Sequence, residues 1–138
     1  MSSSNVKFVI ESQSVKGKSM SLCISCNNAT YTYEKLDKIN DIEIKIKFPS
    51  ICKFETFGKD PNDTVLDNDG KIIQDKFIIL KDIQVDGFSV DKNYLTRFLD
   101  FYTPNHGMIK TNFWSFNGIC LINFSPTVFQ WLASTKQY

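Results

Sequence analysis

The segment from residue 41 to residue 48 constrains the fold of this chain more than any other. Charged and apolar residues alternate strictly along it, and the apolar ones are Ile42, Ile44, Ile46 and Phe48. A period of two places these side chains on one face of an extended strand. Pro49 follows and lacks a backbone N–H, so it is expected at the strand end. The segment predicts a strand with one face in a core and one in solvent.

A second strong pattern surrounds the dipeptide Asn117-Gly118. The runs on either side, residues 112–116 and 119–124, are rich in apolar and aromatic residues. Asn-Gly is typical of a two-residue type I′ turn, because both residues tolerate positive φ. The sequence therefore predicts a hairpin that pairs Phe116 with Ile119. Apolar residues on both of its faces indicate that it is covered on both sides.

Further strands are predicted for the remaining apolar runs, namely Val6 to Ile10, Met20 to Cys26, Ile51 to Phe57, Asp75 to Leu80, Ile83 to Val90 and Tyr94 to Phe101. The alternation slips near Lys81 and Asp82, as at a β-bulge, and Gly87 indicates a turn. About seven to nine short strands with regular turns are typical of a sandwich or jelly roll. We predict one all-β domain over residues 1–138, an antiparallel, jelly-roll-like β-sandwich.

The last apolar segment, from Ser125 to Leu132, fits two structures. Ser125 can cap a helix whose first residue is Pro126, which suits the fixed φ of proline. Alternation of Val128, Gln130 and Leu132 with the aromatic residues between them fits a strand as well. We favour a final strand.

Charge and the N-terminal sequence restrict the partners. Sixteen basic and fifteen acidic residues give a formal net charge of +1, so no overall field attracts nucleic acid or anionic lipid. The first residues lack the basic and apolar regions of a signal peptide, and no run approaches the about eighteen apolar residues that span a bilayer. We expect a host-cytoplasmic or virion location, with neither nucleic acid nor membrane as partner. Fifteen lysines against the single arginine Arg97 indicate AT-rich coding DNA, as in certain phages, large viruses, protists and low-GC bacteria.

Four cysteines without a signal peptide are expected to be reduced thiols, and they are Cys23, Cys26, Cys52 and Cys120. Cys23-Ile-Ser-Cys26 has the spacing of a redox site or half a zinc site. No second pair follows, however, and residues i and i+3 of a strand point to opposite faces. We therefore predict that these two thiols share neither a metal nor a disulfide.

The sequence carries few signs of catalysis. His106, the sole histidine, lies in the polar loop Thr103–Gly107, and no nucleophile motif accompanies it. Asp86 and Asp91 leave open a pair of glycosidase carboxylates, although nothing distinguishes them from the other acids. We predict a protein that is not an enzyme, with a small carbohydrate-active enzyme as the alternative.

The segment Gly58–Gly70 is the most distinctive in the chain. It concentrates the oxygen ligands that calcium prefers, and the candidate calcium ligands are Asp60, Asp63, Asp67 and Asp69. An EF-hand alignment would put Val65 at the first ligand position and Lys76 at the bidentate one, so that motif is excluded. Asp-Pro-Asn-Asp and Asp-Asn-Asp-Gly also form ordinary turns. Turn formation is the alternative to a bound cation.

Aromatic residues offer a second kind of candidate site. A sugar-stacking platform would draw on Trp114, Trp131, Tyr94 and Tyr102. Aromatic residues of strands in a small sandwich otherwise belong to its core.

The stretch from Gly58 to Val90 resembles short proteins of unassigned function from tailed marine phages. The matching segments are Gly58–Thr64, Asp67–Ile73, Asp75-Lys76 and Ile83–Phe88. Some of those proteins resemble the calcium-dependent, xylan-binding class of β-sandwich carbohydrate-binding modules, and Ile83–Gly87 is similar to a strand-turn motif of that class. The resemblance implies a jelly-roll-like sandwich, calcium in the aspartate-rich loop, and a place on a virion, where such domains decorate capsids or tails.

From these observations we predict a non-enzymatic binding or structural module, a virion accessory or decoration protein. Its expected partners are proteins of its own assembly or glycans, and a homo-oligomer is a further option. A free carbohydrate-binding protein is the other alternative. Contact is expected through the loops Lys59–Gly70 and Thr103–Gly107, since loops on a rigid sandwich usually carry recognition.

Overall fold

The computed structural model describes residues 3–125 and 127–135 of the chain, with Phe129 described by its backbone alone. The strands in this part are β1 Ser4–Gln13, β2 Ser21–Cys26, β3 Ala29–Tyr33, β4 Ile39–Ile46, β5 Ser50–Phe57, β6 Val65–Leu66, β7 Ile72–Gln74, β8 Phe77–Val85, β9 Phe88–Ser89, β10 Asp100–Thr103, β11 Gly107–Lys110, β12 Phe113–Trp114 and β13 Gly118–Phe124. Two 3₁₀ turns, Pro61–Asp63 and Leu95–Phe98, and one helix, α1 Val128–Ser134, complete them.

The strands form two main antiparallel sheets. The first has the order β12-β8-β1-β4, with β9 paired to β8, and the second has the order β11-β10-β13-β5-β2-β3. The short strands β6 and β7 form a separate hairpin. The prediction of an all-β, antiparallel, jelly-roll-like sandwich is confirmed. No helix among the described residues is long and apolar enough to cross a membrane.

The core lies between the inner faces of the two sheets. Phe8 of β1 meets Phe54 of β5 edge to face, with ring centroids 4.8 Å apart. In β4, Ile42, Ile44 and Ile46 are buried and the charged residues between them are exposed, as the alternation predicts. Ile39, which precedes the alternating segment, is exposed. Phe48, beyond the end of β4, packs partly buried against the core, with its ring centroid 5.5 Å from that of Phe124.

β8 has the irregularity that its sequence predicts. In its pairing with β1, Val9 lies opposite Asp82 and Ile10 opposite Leu80, so Lys81 is the extra residue of a bulge. The two predicted strands on either side of Lys81 are therefore one bent strand. Asp86 and Gly87, with φ of 49° and 87°, form the turn to β9, as predicted for Gly87.

β2 places its two cysteines on opposite faces, as strand alternation predicts. Cys26 is buried in the core, whereas Cys23 is only half-buried. The Thr32 hydroxyl lies 3.6 Å from the Cys23 sulfur on the outer face.

The predicted hairpin around Asn117-Gly118 is wrong. β12 pairs with β8 in the first sheet, and β13 pairs with β5 and β10 in the second. The chain therefore crosses between sheets over residues 115–117, and Gly118 lies outside the positive-φ region. Glycine is needed there for space, because a Cβ on Gly118 would lie 2.5 Å from the Tyr102 carbonyl oxygen.

Two other predicted strands are corrected. The C-terminal segment contains helix α1, in which the Thr127 hydroxyl accepts a hydrogen bond of 3.2 Å from the Gln130 amide. This capping bond and the burial of Trp131 favour the helix. Ser125 is not the cap, and Pro126 lies outside the described residues. Within Tyr94–Phe101, a 3₁₀ turn precedes β10, because the Tyr94 and Thr96 carbonyls accept turn hydrogen bonds.

Candidate functional site

The two loops expected to make contacts lie side by side and form a cleft. Its walls are Lys59–Thr64 on one side and Thr103–His106 on the other, and Phe116 and Asn117 complete the lining. The cleft has a volume of about 420 Å³. We call it the loop cleft.

The first wall begins where β5 ends. Gly58 has a φ of 87°, which lets the chain turn sharply away from the sheet. Pro61–Asp63 then forms a 3₁₀ turn, and its Asp63 carboxylate accepts a hydrogen bond of 2.7 Å from the Asp60 amide. This bond holds Asp60 at the edge of the loop cleft.

Two lysines fix this wall to the rest of the molecule. Lys59 Nζ donates to the Asp75 carboxylate, and also to the Lys76 carbonyl at 2.7 Å. Lys76 Nζ lies 3.1 Å from the Asp63 carboxylate and donates to the Gly58 carbonyl at 3.2 Å. Lys76 is buried. The loop is therefore organised around two ammonium groups of the chain itself.

The same contacts affect the pKa of the Asp63 carboxyl group. The hydrogen bond from the Asp60 amide, helped by the nearby Lys76 and Lys59 ammonium groups, holds the pKa of the Asp63 carboxyl below its usual range. This carboxylate is thus charged and already paired at neutral pH.

The aspartates predicted as calcium ligands are not brought together. The Asp63 carboxylate contacts the Lys76 ammonium, and Asp67 Oδ1 accepts hydrogen bonds of 2.9 Å from the Asp69 and Lys71 amides. Asp60 and Asp69 are exposed. In the part of the chain that the structure describes, no three acidic, histidine or cysteine side chains are grouped so that they could hold a metal ion. These contacts agree with the turn-forming alternative, and calcium binding by the loop stays a prediction.

Phe116 supplies the aromatic surface of the loop cleft. Its side chain is 45% exposed, and the His106 ring lies against it with centroids 4.5 Å apart. The Thr56 hydroxyl donates to the Phe116 carbonyl at 2.8 Å, which fixes the backbone beneath the ring. The His106 amide in turn donates to the Thr103 hydroxyl at 3.0 Å.

Asn117 joins the loop-cleft lining to the first wall. Its side-chain oxygen accepts from the Lys59 amide, and its side-chain nitrogen donates to the Lys59 carbonyl, both at 2.9 Å. This paired contact resembles one step of a β-ladder and holds the wall at a fixed distance from Phe116.

A second cleft, of about 500 Å³, lies on the other side of Pro104 and is more apolar. Its lining includes Phe57, Tyr102 and Ile119, and it shares Thr103, Pro104 and Asn117 with the loop cleft. The two clefts are thus neighbours around one loop tip, and together they offer a longer surface than either alone.

Among the residues proposed as a sugar-stacking platform, Tyr102 alone lines one of these two clefts; its side chain is 43% exposed. Trp114 is fully buried and stacks on Phe101, and Trp131 is buried against other core rings. Tyr94 lies under the Arg97 guanidinium, 4.1 Å from its ring centroid. The two tryptophans belong to the core, as the alternative reading of the aromatic residues proposed.

The carboxylates considered for catalysis accept backbone hydrogen bonds and line neither of these two clefts. Asp86 accepts a hydrogen bond of 2.8 Å from the Asn5 amide, and Asp91 one of 3.0 Å from the Asn93 amide. Each of the two clefts around Pro104 is lined by a single carboxylate, Asp60 in one and Glu55 in the other. Neither lining supplies the carboxylate pair on which glycosidases depend.

Comparison with known proteins finds a shared fold. No protein-family model matches the sequence, and no curated protein sequence matches it. Two solved structures of vCBM60, described among calcium-dependent carbohydrate-binding modules, share the fold. In the first, 9% of aligned residues are identical and the TM-score is 0.52, covering 87% of this chain and 90% of the other. The second holds galactobiose, with the same identity and TM-score and coverages of 86% and 97%.

The shared fold confirms the sandwich that the sequence resemblance implied. It also shows that the resemblance to carbohydrate-binding modules is one of architecture, extending well beyond the short segments that first indicated it. The phage origin and the residues of the site stay predictions.

Proposed function

We propose that this chain is a non-catalytic module that binds a glycan in the loop cleft. The observation that carries the proposal is the exposed Phe116 ring, held against His106 between two loops that bear polar side chains. An aromatic face packs on the apolar face of a sugar ring, while neighbouring polar groups bond to its hydroxyls. The sandwich it shares with vCBM60 supports the same class of ligand.

The chemistry of the cleft suits a neutral ligand. Lys59 already contacts Asp75, and it is not available as a free cation for an anionic group. Asp60 and Asn105 are exposed polar side chains at the cleft edge and are placed to bond to sugar hydroxyls. The adjoining cleft with Tyr102 and Phe57 extends the surface, so that an oligosaccharide would contact more of it than a monosaccharide.

The test is a binding titration with galactobiose, followed by a defined glycan array to establish the preferred sugar. We expect Phe116→Ala to weaken binding about tenfold, which corresponds to about 1.4 kcal/mol. Phe113→Ala is the matched control, because Phe113 is 42% exposed but packs on Phe77 away from the cleft. Equal affinities of the two variants, absence of any glycan ligand, or turnover of the glycan would contradict the proposal.

We propose a virion as the setting, with the module acting as an accessory or decoration protein. The support is the resemblance to short phage proteins and the lysine-rich, arginine-poor composition, with Arg97 against fifteen lysines. A glycan-binding domain on a particle would contact the host surface or neighbouring particle proteins. Mass spectrometry of purified particles tests this setting, and absence of the chain from them would exclude it. That result would leave glycan binding by the free protein in place.

A further inference from the structure

Cys26 and Cys52 are 26 residues apart in the sequence and are neighbours in the structure. β2 and β5 are antiparallel, and their register pairs Ser25 with Lys53. One step further along the same register, Cys26 lies opposite Cys52. Both side chains are buried on the inner face of the sheet.

Cys26 and Cys52 form the type of cross-strand pair in which the two Cα atoms lie closest together. Cys26 and Ala29 flank a two-residue turn formed by Asn27 and Asn28, which have φ of 51° and 64°. The residues that flank such a turn exchange backbone hydrogen bonds, so the backbone groups of Cys26 face β3 rather than β5. Cys26 and Cys52 are therefore a non-hydrogen-bonded pair, for which the Cα separation is about 4.5 Å. This separation falls within the range that a disulfide bridges.

The two thiols also differ in reactivity. A hydrogen bond from the Cys52 thiol, with a contribution from the Ser50 hydroxyl 3.2 Å away, lowers the pKa of Cys26 to about 7. The same bond and its burial raise the pKa of Cys52. Cys26 is thus partly thiolate at neutral pH, and Cys52 keeps its proton.

The solvent exposure of the two cysteines agrees with the difference in their pKa values. Cys26 is 6% exposed and ends its strand beside the exposed turn, whereas Cys52 is fully buried. Of the two side chains, only that of Cys26 keeps some contact with solvent, so a small oxidant would reach its sulfur first. Cys52 is its cross-strand neighbour.

We propose that Cys26 and Cys52 are a peroxide-sensitive pair that closes into a cross-strand disulfide. The Cys26 thiolate attacks one oxygen of hydrogen peroxide, the O–O bond breaks, and the released hydroxide takes a proton to leave as water. Cys26 is then a sulfenic acid. The Cys52 sulfur attacks the Cys26 sulfur, the S–O bond breaks, and the hydroxyl leaves with the Cys52 proton as a second water. Two electrons pass from the thiols to the peroxide.

The disulfide would brace the strand that leads into the candidate binding site. β5 continues at its far end into Gly58 and the first wall of the loop cleft. Linking β5 to the end of β2 restricts the unfolded chain, so the oxidised protein is expected to melt at a higher temperature than the reduced protein.

The experiment treats the full chain with hydrogen peroxide and maps the products by mass spectrometry. We expect the wild type and Cys23→Ser to lose two hydrogens, with the link between the peptides of Cys26 and Cys52. Cys23 is the matched control because it lies on the same strand but faces outward. In Cys52→Ala, dimedone should trap the sulfenic acid at Cys26. The pH profile is measured on the wild type, in which disulfide formation should speed up as pH increases through about 7. In Cys52→Ala the reaction should need a higher pH, because the thiol that lowers the pKa of Cys26 is missing.

Other results would overturn the proposal. They are a mass unchanged by peroxide, a link that involves Cys23 or Cys120, or dimedone labelling of Cys52→Ala at Cys23 alone. If Cys52→Ala does not fold, Cys26→Ser decides the matter, because this variant must lose the two-hydrogen change while it keeps a thiol at position 52.

Discussion

The ammonium of Lys76 lies 3.1 Å from the carboxylate of Asp63, within the network that holds the aspartate-rich loop. The Lys76 side chain is 5% exposed and that of Asp63 15%. A cation does organise part of this loop, and that cation is the ammonium group of Lys76. The structural neighbours are described as calcium-dependent, whereas this wall is held by lysines.

Replacement of Lys76 by methionine should lower the free energy of unfolding by about 1.5–3 kcal/mol, the range for hydrogen bonds to charged groups. The substitution keeps most of the buried stem but leaves Asp63 and the Gly58 carbonyl without this donor. Urea unfolding measures the change. Lys71→Met is the control, since Lys71 is exposed in the same loop and should change stability little. Equal losses in the two variants would show that the buried ion pair contributes nothing specific.

Calcium should leave the protein unchanged. Among the described residues no group of three suitable ligands exists, and an ion that finds no site cannot stabilise the folded state by linkage. Calorimetry in millimolar calcium and in chelator should therefore give the same unfolding temperature, and glycan affinity should not differ between the two buffers. A higher unfolding temperature with calcium that Asp67→Asn abolishes would restore the predicted ion.

Acid should weaken the contribution of Asp63. Its folded-state pKa lies below the unfolded value of about 3.9, so its stabilisation is complete above that value and is lost as pH falls through the lower folded pKa. Asp63→Asn should be less stable than the wild type at pH 7, and the difference should shrink below about pH 4. Urea unfolding over this pH range gives both values. Asp69→Asn, in an exposed part of the loop, is the control and should change stability little at pH 7.

Gly118→Ala should destabilise the sandwich by about 1–3 kcal/mol, the usual effect of overpacking. The new Cβ would lie 2.5 Å from the Tyr102 carbonyl oxygen and 2.9 Å from the Phe101 ring, and backbone cannot move aside cheaply. Gly70→Ala is the comparison, because Gly70 has a φ of 81° but open space around it. Thermal unfolding should rank Gly118→Ala as the less stable variant. The reverse order would mean that backbone strain outweighs the steric contact.

The sequence predicts well wherever one local rule is enough. β4 follows from the alternation of isoleucines with charges, and the bulge at Lys81 follows from a break in alternation. Both features depend on whether each side chain faces the core or solvent, which a period of two specifies without knowledge of partner strands.

The predictions fail where a residue distant in the sequence determines the local structure. Asn117-Gly118 has the composition of a tight turn, yet Asn117 bonds to Lys59 and Gly118 approaches Tyr102. Local composition cannot distinguish a glycine required by φ from one required by a close neighbour. The same error hid Phe116 from the candidate site, because a hairpin would have paired it with Ile119. Strand β3 was missed too, although Asn27-Asn28 forms its turn with positive φ at both residues.

The candidate aspartate site shows a third limit. The oxygen ligands along residues 58–70 indicated a bound cation, and a lysine ammonium pairs with one of these carboxylates. Lys76 lies outside the segment in sequence and was considered only as a misfit to a calcium motif. The pairing of Lys76 with Asp63 depends on how the chain folds back between them, which a count of ligands along one segment does not show.

The crossing of the chain over residues 115–117 has a mechanical consequence. Phe116 and Asn117 lie on the segment that links the first sheet to the second, so any sliding of one sheet against the other displaces the lining of the loop cleft. A ligand clamped there resists that shear. Ligand binding in the loop cleft should therefore slow hydrogen exchange in β12 and β13 together. If the bound module were pulled, the force would pass to the two sheets through residues 115–117.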